Sequence, residues 1–358
     1  MRDLAKFMHT NAVPVPDGWG KTGSNPCLWR GVGCSVSNSV SFSVVTNLNL
    51  SNRLLTDRLD DFSSFHQLEV LDLSFNSLSG SVGTKLSSLL RLRSLNLSSN
   101  NLDGDIGEDM ALARSLEELV LSENHFHGSI PRGLFQYGNL RYLDISQNNL
   151  TGDIPDEFLK LPNLQTLLLS GNCLRGAIPS SLSNVTTLSR FAANQNNLSG
   201  SIPNGLTNHL NNLDLSFNRL TGDIPSDLFL PPGLETVDLT SNFLQGPIPT
   251  GFSQRLFCLM LTGNLLNGSI PESIGDASSL VYFELHNNYL TGVIPWQLSK
   301  CKQLSLLDLA LNELQGPIPS ELGNLDSLIV LELQMNNLDG YIPSTLSGLF
   351  VKSGYTEP

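Results

Sequence analysis

The chain has 358 residues, a formal net charge of −13 and only 15% charged residues. This acidic balance disfavours binding to nucleic acids and to anionic membranes, because both require a basic patch. The sequence contains no apolar run of about eighteen residues, the length that a membrane helix requires, so we predict no membrane span in this chain.

The first 25 residues lack the features of a secretory leader. Charged side chains between Arg2 and His9 interrupt the apolar core that a signal peptide requires, so we predict no signal peptide here. The residues from Leu4 to His9 are predicted to form a short amphipathic helix that ends before Pro14.

One repeated unit accounts for most of the remaining chain, and the segment from Leu140 to Pro155, LRYLDISQNNLTGDIP, represents it. The unit is centred on Asn148, with leucine or isoleucine eight, five and three residues before it. The frame returns at twelve asparagines, with nine gaps of 24 residues and two of 22: Asn76, Asn100, Asn124, Asn148, Asn172, Asn196, Asn218, Asn242, Asn264, Asn288, Asn312 and Asn336. A period of this length predicts a solenoid.

The spacing within each unit predicts its local structure. Alternation such as Leu71-Asp72-Leu73 indicates a short strand with one buried face and one face in water. Each recurring asparagine is expected to bond backbone groups that the following turn would otherwise bury unpaired, which makes a structural ladder. Outward residues such as Asp144 should therefore be dispensable for stability, whereas Asn148 should not.

Glycine and proline mark fixed points of the unit. Glycine recurs four residues after all twelve asparagines, where the backbone needs either a positive φ or close packing against a neighbour. Ile-Pro follows in ten units, and each proline is expected to end the segment on the back of the solenoid, because proline cannot donate a backbone hydrogen bond.

The pattern LxxLxLxxNxLxGxIP resembles the plant-type leucine-rich repeat and covers roughly Val44 to Phe350. The resemblance implies an α/β solenoid, a right-handed superhelix with a parallel β-sheet on its concave face and short strands and 3-10 turns on its convex side. The expected organisation is an amino-terminal cap at 1–43, about 13 repeats of ~24 residues at 44–350, and a tail at 351–358 that breaks the repeat.

The segment that contains Asn25, Cys27, Trp29 and Cys34 resembles the amino-terminal cap of plant receptor-like kinases. The resemblance implies a disulfide between Cys27 and Cys34, which are seven residues apart around a turn. The alternative is two free thiols in a reduced protein.

The resemblance implies an extracellular location, at the outer face of the plasma membrane. Six glycosylation sequons agree with it: Asn49, Asn96, Asn149, Asn184, Asn197 and Asn267. Lys352 and Tyr355 stand where the next leucines belong, so the chain resembles the outer part of a receptor cut short. Leu331 and Leu333 should then be partly uncovered. A membrane helix and a kinase domain are expected only in a longer form.

The sequence carries no pattern that predicts catalysis. It has no phosphate loop, nucleophile elbow or kinase signature, so we predict that this chain is not an enzyme and needs no cofactor. His125 and His127 have no cysteine or carboxylate at ligand spacing, so we predict no metal site. Cys173, Cys258 and Cys301 share no spacing and are expected to be unpaired.

The predicted binding surface lies where outward strand positions stop being polar. In the last four units these positions include Phe257, Cys258, Val281, Leu311 and Met335. A contiguous apolar patch on a solvent face commonly marks an interaction site, and the hypothesis assigns ligand binding to a set of eight residues. The set is Met260, Tyr282, Glu284, His286, Leu306, Asp308, Val330 and Glu332. The alternative is that further repeats, or a loop, cover this patch.

Two functions remain open from the sequence. The first is the ligand-recognition part of a plant receptor-like kinase, or a truncated or decoy form, that binds a peptide, protein or steroid-like ligand together with a leucine-rich repeat co-receptor. The second is a secreted inhibitor of pathogen cell-wall hydrolases, similar to polygalacturonase inhibitors. A longer transcript with a membrane helix and kinase would decide for the receptor, and inhibition of a hydrolase by the purified chain would decide for the inhibitor.

Overall fold

The computed structural model describes residues 25–36, 43–56, 58, 59, 62, 65–106 and 113–347. The chain separates into two compact units, Met1–Leu174 and Arg175–Pro358, which we call the N-terminal and C-terminal units. The predicted helix at Leu4 to His9 and the tail after Phe350 lie outside the described residues. Within the described ranges, no helix combines the length and the apolarity needed to cross a membrane.

The N-terminal unit begins with a small disulfide-linked cap. The Asn25 side chain accepts a hydrogen bond from the backbone N–H of Cys27, which starts a 3-10 turn at Pro26–Leu28. Strand β1 (Val32–Val36) then pairs antiparallel with β2 (Ser43–Asn49). A disulfide joins Cys27 to Cys34, whose Cα atoms are 5.6 Å apart.

The remaining strands of the N-terminal unit alternate between two parallel sheets. They are β3 (Val70–Asp72), β4 (Ser79–Ser81), β5 (Ser94–Asn96), β6 (Asn101–Asp105), β7 (Glu118–Val120), β8 (His125–Ser129), β9 (Tyr142–Asp144), β10 (Asn149–Asp153) and β11 (Thr166–Leu168). Odd-numbered strands follow β2 in one sheet, which we call the face sheet, and even-numbered strands form the back sheet. Described 3-10 turns lie at Gly83–Leu86, Arg132–Gln136 and Phe158–Lys160.

The C-terminal unit repeats the same alternation, with β12 at its boundary. Its strands are β12 (Cys173–Gly176), β13 (Arg190–Ala192), β14 (Asn197–Gly200), β15 (Asn212–Asp214), β16 (Arg219–Asp223), β17 (Thr236–Asp238), β18 (Phe243–Pro247), β19 (Cys258–Met260), β20 (Leu265–Ser269), β21 (Tyr282–Glu284), β22 (Tyr289–Thr291), β23 (Leu306–Asp308), β24 (Gln315–Pro317), β25 (Val330–Glu332) and β26 (Asn337–Asp339). Odd-numbered strands again form the face sheet. Its described 3-10 turns lie at Ser180–Asn184, Glu272–Asp276, Trp296–Lys300, Ser320–Asn324 and Ser344–Leu346.

The asparagine ladder holds successive turns of each unit together. The Asn148 Nδ2 group donates to three backbone carbonyls, those of Leu121 at 3.1 Å, Ile145 at 3.3 Å and Ser146 at 3.0 Å. Its Oδ1 atom accepts from the backbone N–H of Phe126 at 3.0 Å. Because only 6% of Asn148 is exposed, water cannot replace these bonds. The predicted ladder is confirmed.

The glycine four residues after each ladder asparagine meets the first of the two conditions that the sequence left open, a positive φ, and some of these glycines also meet the second. All twelve have a positive φ, from 71° at Gly316 to 91° at Gly104. At Gly128, an added Cβ would also lie 2.7 Å from the carboxylate of Asp105 on the neighbouring strand. Larger side chains are therefore excluded there by backbone strain and by contact.

The face sheet of the C-terminal unit ends with less covered leucines. Leu331 and Leu333 on and after β25 are half-buried. The matching Leu307 and Leu309, on and after β23, have no exposed surface. Because no described strand pairs with the outer side of β25, the predicted partial exposure of Leu331 and Leu333 is confirmed.

Candidate functional site

The residue four places before each ladder asparagine, which we call the acceptor position, has a structural role that the sequence analysis missed. The Asp144 Oδ1 atom accepts from the backbone N–H of Ser146 at 3.0 Å and from its hydroxyl at 2.6 Å. Asp144 is only 9% exposed. Its predicted solvent-facing, dispensable status is wrong, because the side chain caps the turn that leaves the strand.

The same cap recurs through both units. Asp72 accepts from the backbone N–H and hydroxyl of Ser74, and Asp214 accepts from the corresponding groups of Ser216. Asn96 does so without a charge, because its Oδ1 atom accepts from both groups of Ser98. Most of the aspartates at the acceptor position therefore accept internal hydrogen bonds.

The cap is absent at Val120, Leu168 and Ala192, which are apolar, and it is lost or reduced again in strands β19 to β25. Met260 occupies the acceptor position of β19 and cannot accept, so the buried Thr262 hydroxyl has no hydrogen-bond partner in the described structure. Glu284 at the next acceptor position makes no side-chain hydrogen bond to a described residue. Asp308 accepts only the backbone N–H of Ala310, at 3.0 Å. The side chains at the acceptor positions of these strands thus make fewer internal hydrogen bonds.

Strand register brings the predicted ligand-binding residues together in two columns. One column contains Cys258, Tyr282, Leu306 and Val330, and the other contains Met260, Glu284, Asp308 and Glu332. Neighbouring residues of a column are separated by about 4.8 Å, the spacing of paired strands. His286 joins the second column, with its Nδ1 atom 3.6 Å from the Asp308 Oδ2 atom.

One predicted outward residue lies in the interior. Cys258 is only 8% exposed, although its register partner Tyr282 in the same column is partly exposed. Burial raises the pKa of the Cys258 thiol to about 12, helped by the charges of Asp238 and Glu284. Its expected place on the ligand-facing surface is therefore wrong, and it is not a reactive thiol.

Aromatic side chains form the apolar edge of the columns. Phe257 and Tyr282 meet edge to face, with ring centroids 5.5 Å apart and an interplanar angle of 72°. Both rings remain partly in water, with Phe257 42% exposed and Tyr282 37% exposed. Leu311 and Met335, each immediately before a ladder asparagine, are also exposed and have positive φ angles of 53° and 60°.

The carboxylates of the second column carry an electrostatic cost. Partial burial raises the pKa of Glu284, and the charges of Asp308 and Asp238 raise it further. Partial burial also raises the pKa of Asp308, against the opposing effect of the Ala310 N–H and of His286. A cationic group placed over this column would relieve the repulsion.

A groove adjoins these columns on the face sheet of the C-terminal unit. It has a volume of about 330 Å³, and its lining includes Arg190, Ala192, Asn212, Asp214, Asp238 and Met260. Met260 is therefore shared between the groove and the acidic column. The groove is formed by side chains from four neighbouring strands, so the spacing of residues in the sequence did not reveal it.

The six sequons differ in accessibility. Asn149, Asn184, Asn197 and Asn267 are exposed. Asn96 is half-buried at an acceptor position. Asn49 is exposed, but its side chain is engaged, since its Oδ1 atom accepts from Ser51 and its Nδ2 group donates to Asp72.

Comparison with known proteins agrees with this architecture. Residues 114–174 match the Leucine rich repeat family, and residues 67–89, 91–111, 209–230 and 279–301 match the Leucine Rich Repeat family. These matches lie in the leucine-rich repeats of the chain. Over 85 residues, 24% of the chain, it is 40% identical to an inactive leucine-rich repeat receptor-like serine/threonine-protein kinase of Arabidopsis thaliana, of which it covers 12%.

Solved structures extend the similarity to most of the chain. It is similar to the ectodomain of the Arabidopsis thaliana membrane receptor kinase GASSHO1/SCHENGEN3, with 32% identity, a TM-score of 0.71, and coverage of 82% of this chain and 39% of that one. It is also similar to a plant peptide hormone receptor in complex with RGF2, with 28% identity, a TM-score of 0.69, and coverage of 90% and 62%. The chain thus spans less than two thirds of each relative.

Proposed function

We propose that the protein is a ligand-recognition module that binds a peptide or protein segment across β19, β21, β23 and β25 of the face sheet. The observation that carries the proposal is the loss of the internal cap at Met260 and Glu284. At Asp144 and Asp214 the acceptor side chain is bonded to its own turn, and at Val120, Leu168 and Ala192 it is apolar. Met260 and Glu284, on adjacent strands, place an apolar and an acidic group side by side without that bond.

The chemistry of the surface suits a neutral or basic ligand with an apolar side chain. Phe257, Tyr282 and Met260 offer an apolar contact, and aromatic residues are frequent anchors in interfaces. Glu284 and Asp308 would orient a cationic group, since both carboxylates lie in one column at strand spacing. The net charge of −13 would also attract such a ligand from a distance.

The similar proteins support an extracellular receptor role. One is the ectodomain of a membrane receptor kinase, and another is a peptide hormone receptor in complex with RGF2. By this analogy the chain acts at the outer face of the plasma membrane, with a leucine-rich repeat co-receptor as a further partner. These similarities favour a receptor over a hydrolase inhibitor. The kinase would belong to a longer form.

A peptide-display selection tests the proposal. A random peptide library is selected against the wild-type protein and counter-selected against the double variant Met260→Asn with Tyr282→Ala. Asparagine is chosen because Asn96 shows that it forms the cap without adding charge. We expect enrichment of peptides with lysine or arginine beside an apolar residue.

A matched double variant controls for loss of folding. Val120→Asn with Tyr142→Ala makes the same changes at the corresponding positions of β7 and β9. Peptides should bind this variant as they bind the wild type. The proposal fails if the enriched peptides bind both double variants equally, because the contact surface would then lie elsewhere.

A further inference from the structure

The outer face of the back sheet carries an apolar patch on three consecutive strands. Phe243 of β18, Leu265 of β20 and Tyr289 of β22 are 52%, 40% and 53% exposed. Each directly follows a ladder asparagine, a position at which Asn149, Asn197 and Arg219 stand in other repeats. Exposed apolar side chains in a row are costly in water, so something is expected to cover them.

Asn267 lies within this patch and begins a glycosylation sequon, Asn267-Gly268-Ser269. In the back sheet it is the register partner of Tyr289 on one side and of Pro247 on the other. Leu265 precedes it by two residues and so points to the same face of β20. The exposed asparagine therefore has apolar side chains on three sides, with Tyr289 and Pro247 about 4.8 Å away across the sheet and Leu265 about 6.6 Å away along the strand.

We propose that Asn267 carries an N-linked glycan whose first sugar packs on Tyr289 and covers the patch. One face of an N-acetylglucosamine ring presents C–H groups, which favour contact with the electron-rich face of an aromatic ring, while its hydroxyls stay in water. Attachment joins the Asn267 Nδ2 atom to the anomeric carbon of the sugar. The bond from that carbon to the diphosphate of a lipid-linked oligosaccharide breaks, the diphosphate leaves, and the amide loses one proton.

The surroundings of three other sequons do not offer the same contact. Asn197 is the register partner of Arg175, and Asn149 is the register partner of His127. Asn96 is half-buried and bonded to its own turn. Asn267 alone among these four has both a tyrosine and a proline as register partners on the two neighbouring strands.

The test uses the full chain produced through a eukaryotic secretory pathway, without any ligand. Glycopeptide mapping reports occupancy of Asn267, and hydroxyl-radical footprinting reports the exposure of Tyr289. The variant Ser269→Ala removes the sequon while keeping Asn267. We expect occupancy in the wild type and about threefold faster oxidation of Tyr289 in Ser269→Ala, since a packed sugar shields most of one ring face.

Internal controls separate shielding from a change of fold. Tyr341, which is 95% exposed, should be oxidised equally in both proteins. Ser199→Ala, which removes the Asn197 sequon, should leave Tyr289 unchanged. The thermal midpoint should fall by about 2 °C in Ser269→Ala, but not when Tyr289→Ser is already present.

Two results would overturn the inference. One is an unoccupied Asn267 in secreted protein. The other is equal oxidation of Tyr289 with and without the sequon. If Tyr289 were strongly protected in both proteins, another protein surface, such as a second copy of the chain, would cover the patch. Neither result bears on the proposed ligand surface, because the back sheet and the face sheet are tested separately.

Discussion

The face sheet has the same interior in β3 to β9 as in β19 to β25, but a different use of its outward side chains. In β3 to β9, Asp72, Asn96 and Asp144 bond to the serine two residues later, whereas Val120 is apolar and buried. In the C-terminal unit, Met260 and Glu284 make no such bond, and the Thr262 hydroxyl is left without a partner among the described residues. A repeat can thus lose the side-chain hydrogen bond at its acceptor position while it keeps the asparagine ladder and the buried strand residues.

The buried leucines and the asparagine ladder explain why the loss of this hydrogen bond is tolerated. The strand leucines Leu71 and Leu307 have no exposed surface. Asn288 keeps the ladder bonds of Asn148, donating to Leu261 and Leu285 and accepting from the N–H of Leu266. Stability therefore resides in the ladder and the leucines, and the outward columns are free to differ.

The largest expected effect tests that shared frame. Asn148→Ala and Asn288→Ala should each lower the free energy of unfolding by about 3 kcal/mol, because each leaves several buried backbone groups without partners. Urea unfolding of the two variants provides the measurement. Clearly unequal losses would mean that the two units do not share one frame.

The next effect separates the two kinds of acceptor position. Asp144→Ala should cost about 1–2 kcal/mol, since the Ser146 N–H and hydroxyl both lose their acceptor. Asp308→Ala should cost less, because Asp308 accepts a single backbone N–H and its removal relieves repulsion with Glu332. An equal or larger loss at Asp308 would contradict the comparison.

The ladder and the strands could be predicted because buried positions repeat in one environment. The cap by Asp144 was missed because alternation along a strand assigns every second residue to solvent. A signal was present, since aspartate followed two residues later by serine recurs as Leu-Asp-Leu-Ser, and such pairs favour an Asx-type turn.

Other features of the site depend on how neighbouring strands are arranged. Seven of the eight predicted ligand-binding residues lie on adjacent strands and His286 follows β21, a placement that the repeat itself implies. Cys258 is buried while its register partner Tyr282 is partly exposed, a difference that alternation along a strand does not predict. The positive φ before ladder asparagines occurs at residues as different as Gln147, Leu311 and Met335, so composition does not reveal it.

A smaller effect would restore the missing cap. Met260→Asn should raise the free energy of unfolding by about 0.5 kcal/mol, because the Thr262 N–H and hydroxyl gain an acceptor while Met260 is only half-buried. Val120→Asn is the control, and it should give no gain, since Val120 is 9% exposed and loses buried apolar surface. A loss at Met260 would show that the apolar side chain serves the fold.

The smallest effect concerns pH. Because the folded pKa of Glu284 is raised above its unfolded value, the charged carboxylate destabilises the fold at neutral pH, and this penalty is absent below the ordinary value of 4.5. Glu284→Gln should therefore stabilise the protein at neutral pH, with the difference from wild type vanishing as the pH falls toward 4.5. A difference that grows on acidification would contradict the raised pKa.

The most direct test of the proposed binding surface on β19 through β25 is the affinity of one peptide obtained from the display selection. Calorimetric titration would compare the wild type with Met260→Asn/Tyr282→Ala and with Val120→Asn/Tyr142→Ala. We predict that the first double variant raises the Kd at least about tenfold, a loss of about 1.4 kcal/mol of binding free energy, and that the second leaves the Kd unchanged. Equal weakening by both variants, or weakening by the second alone, would contradict the assignment of binding to β19 through β25.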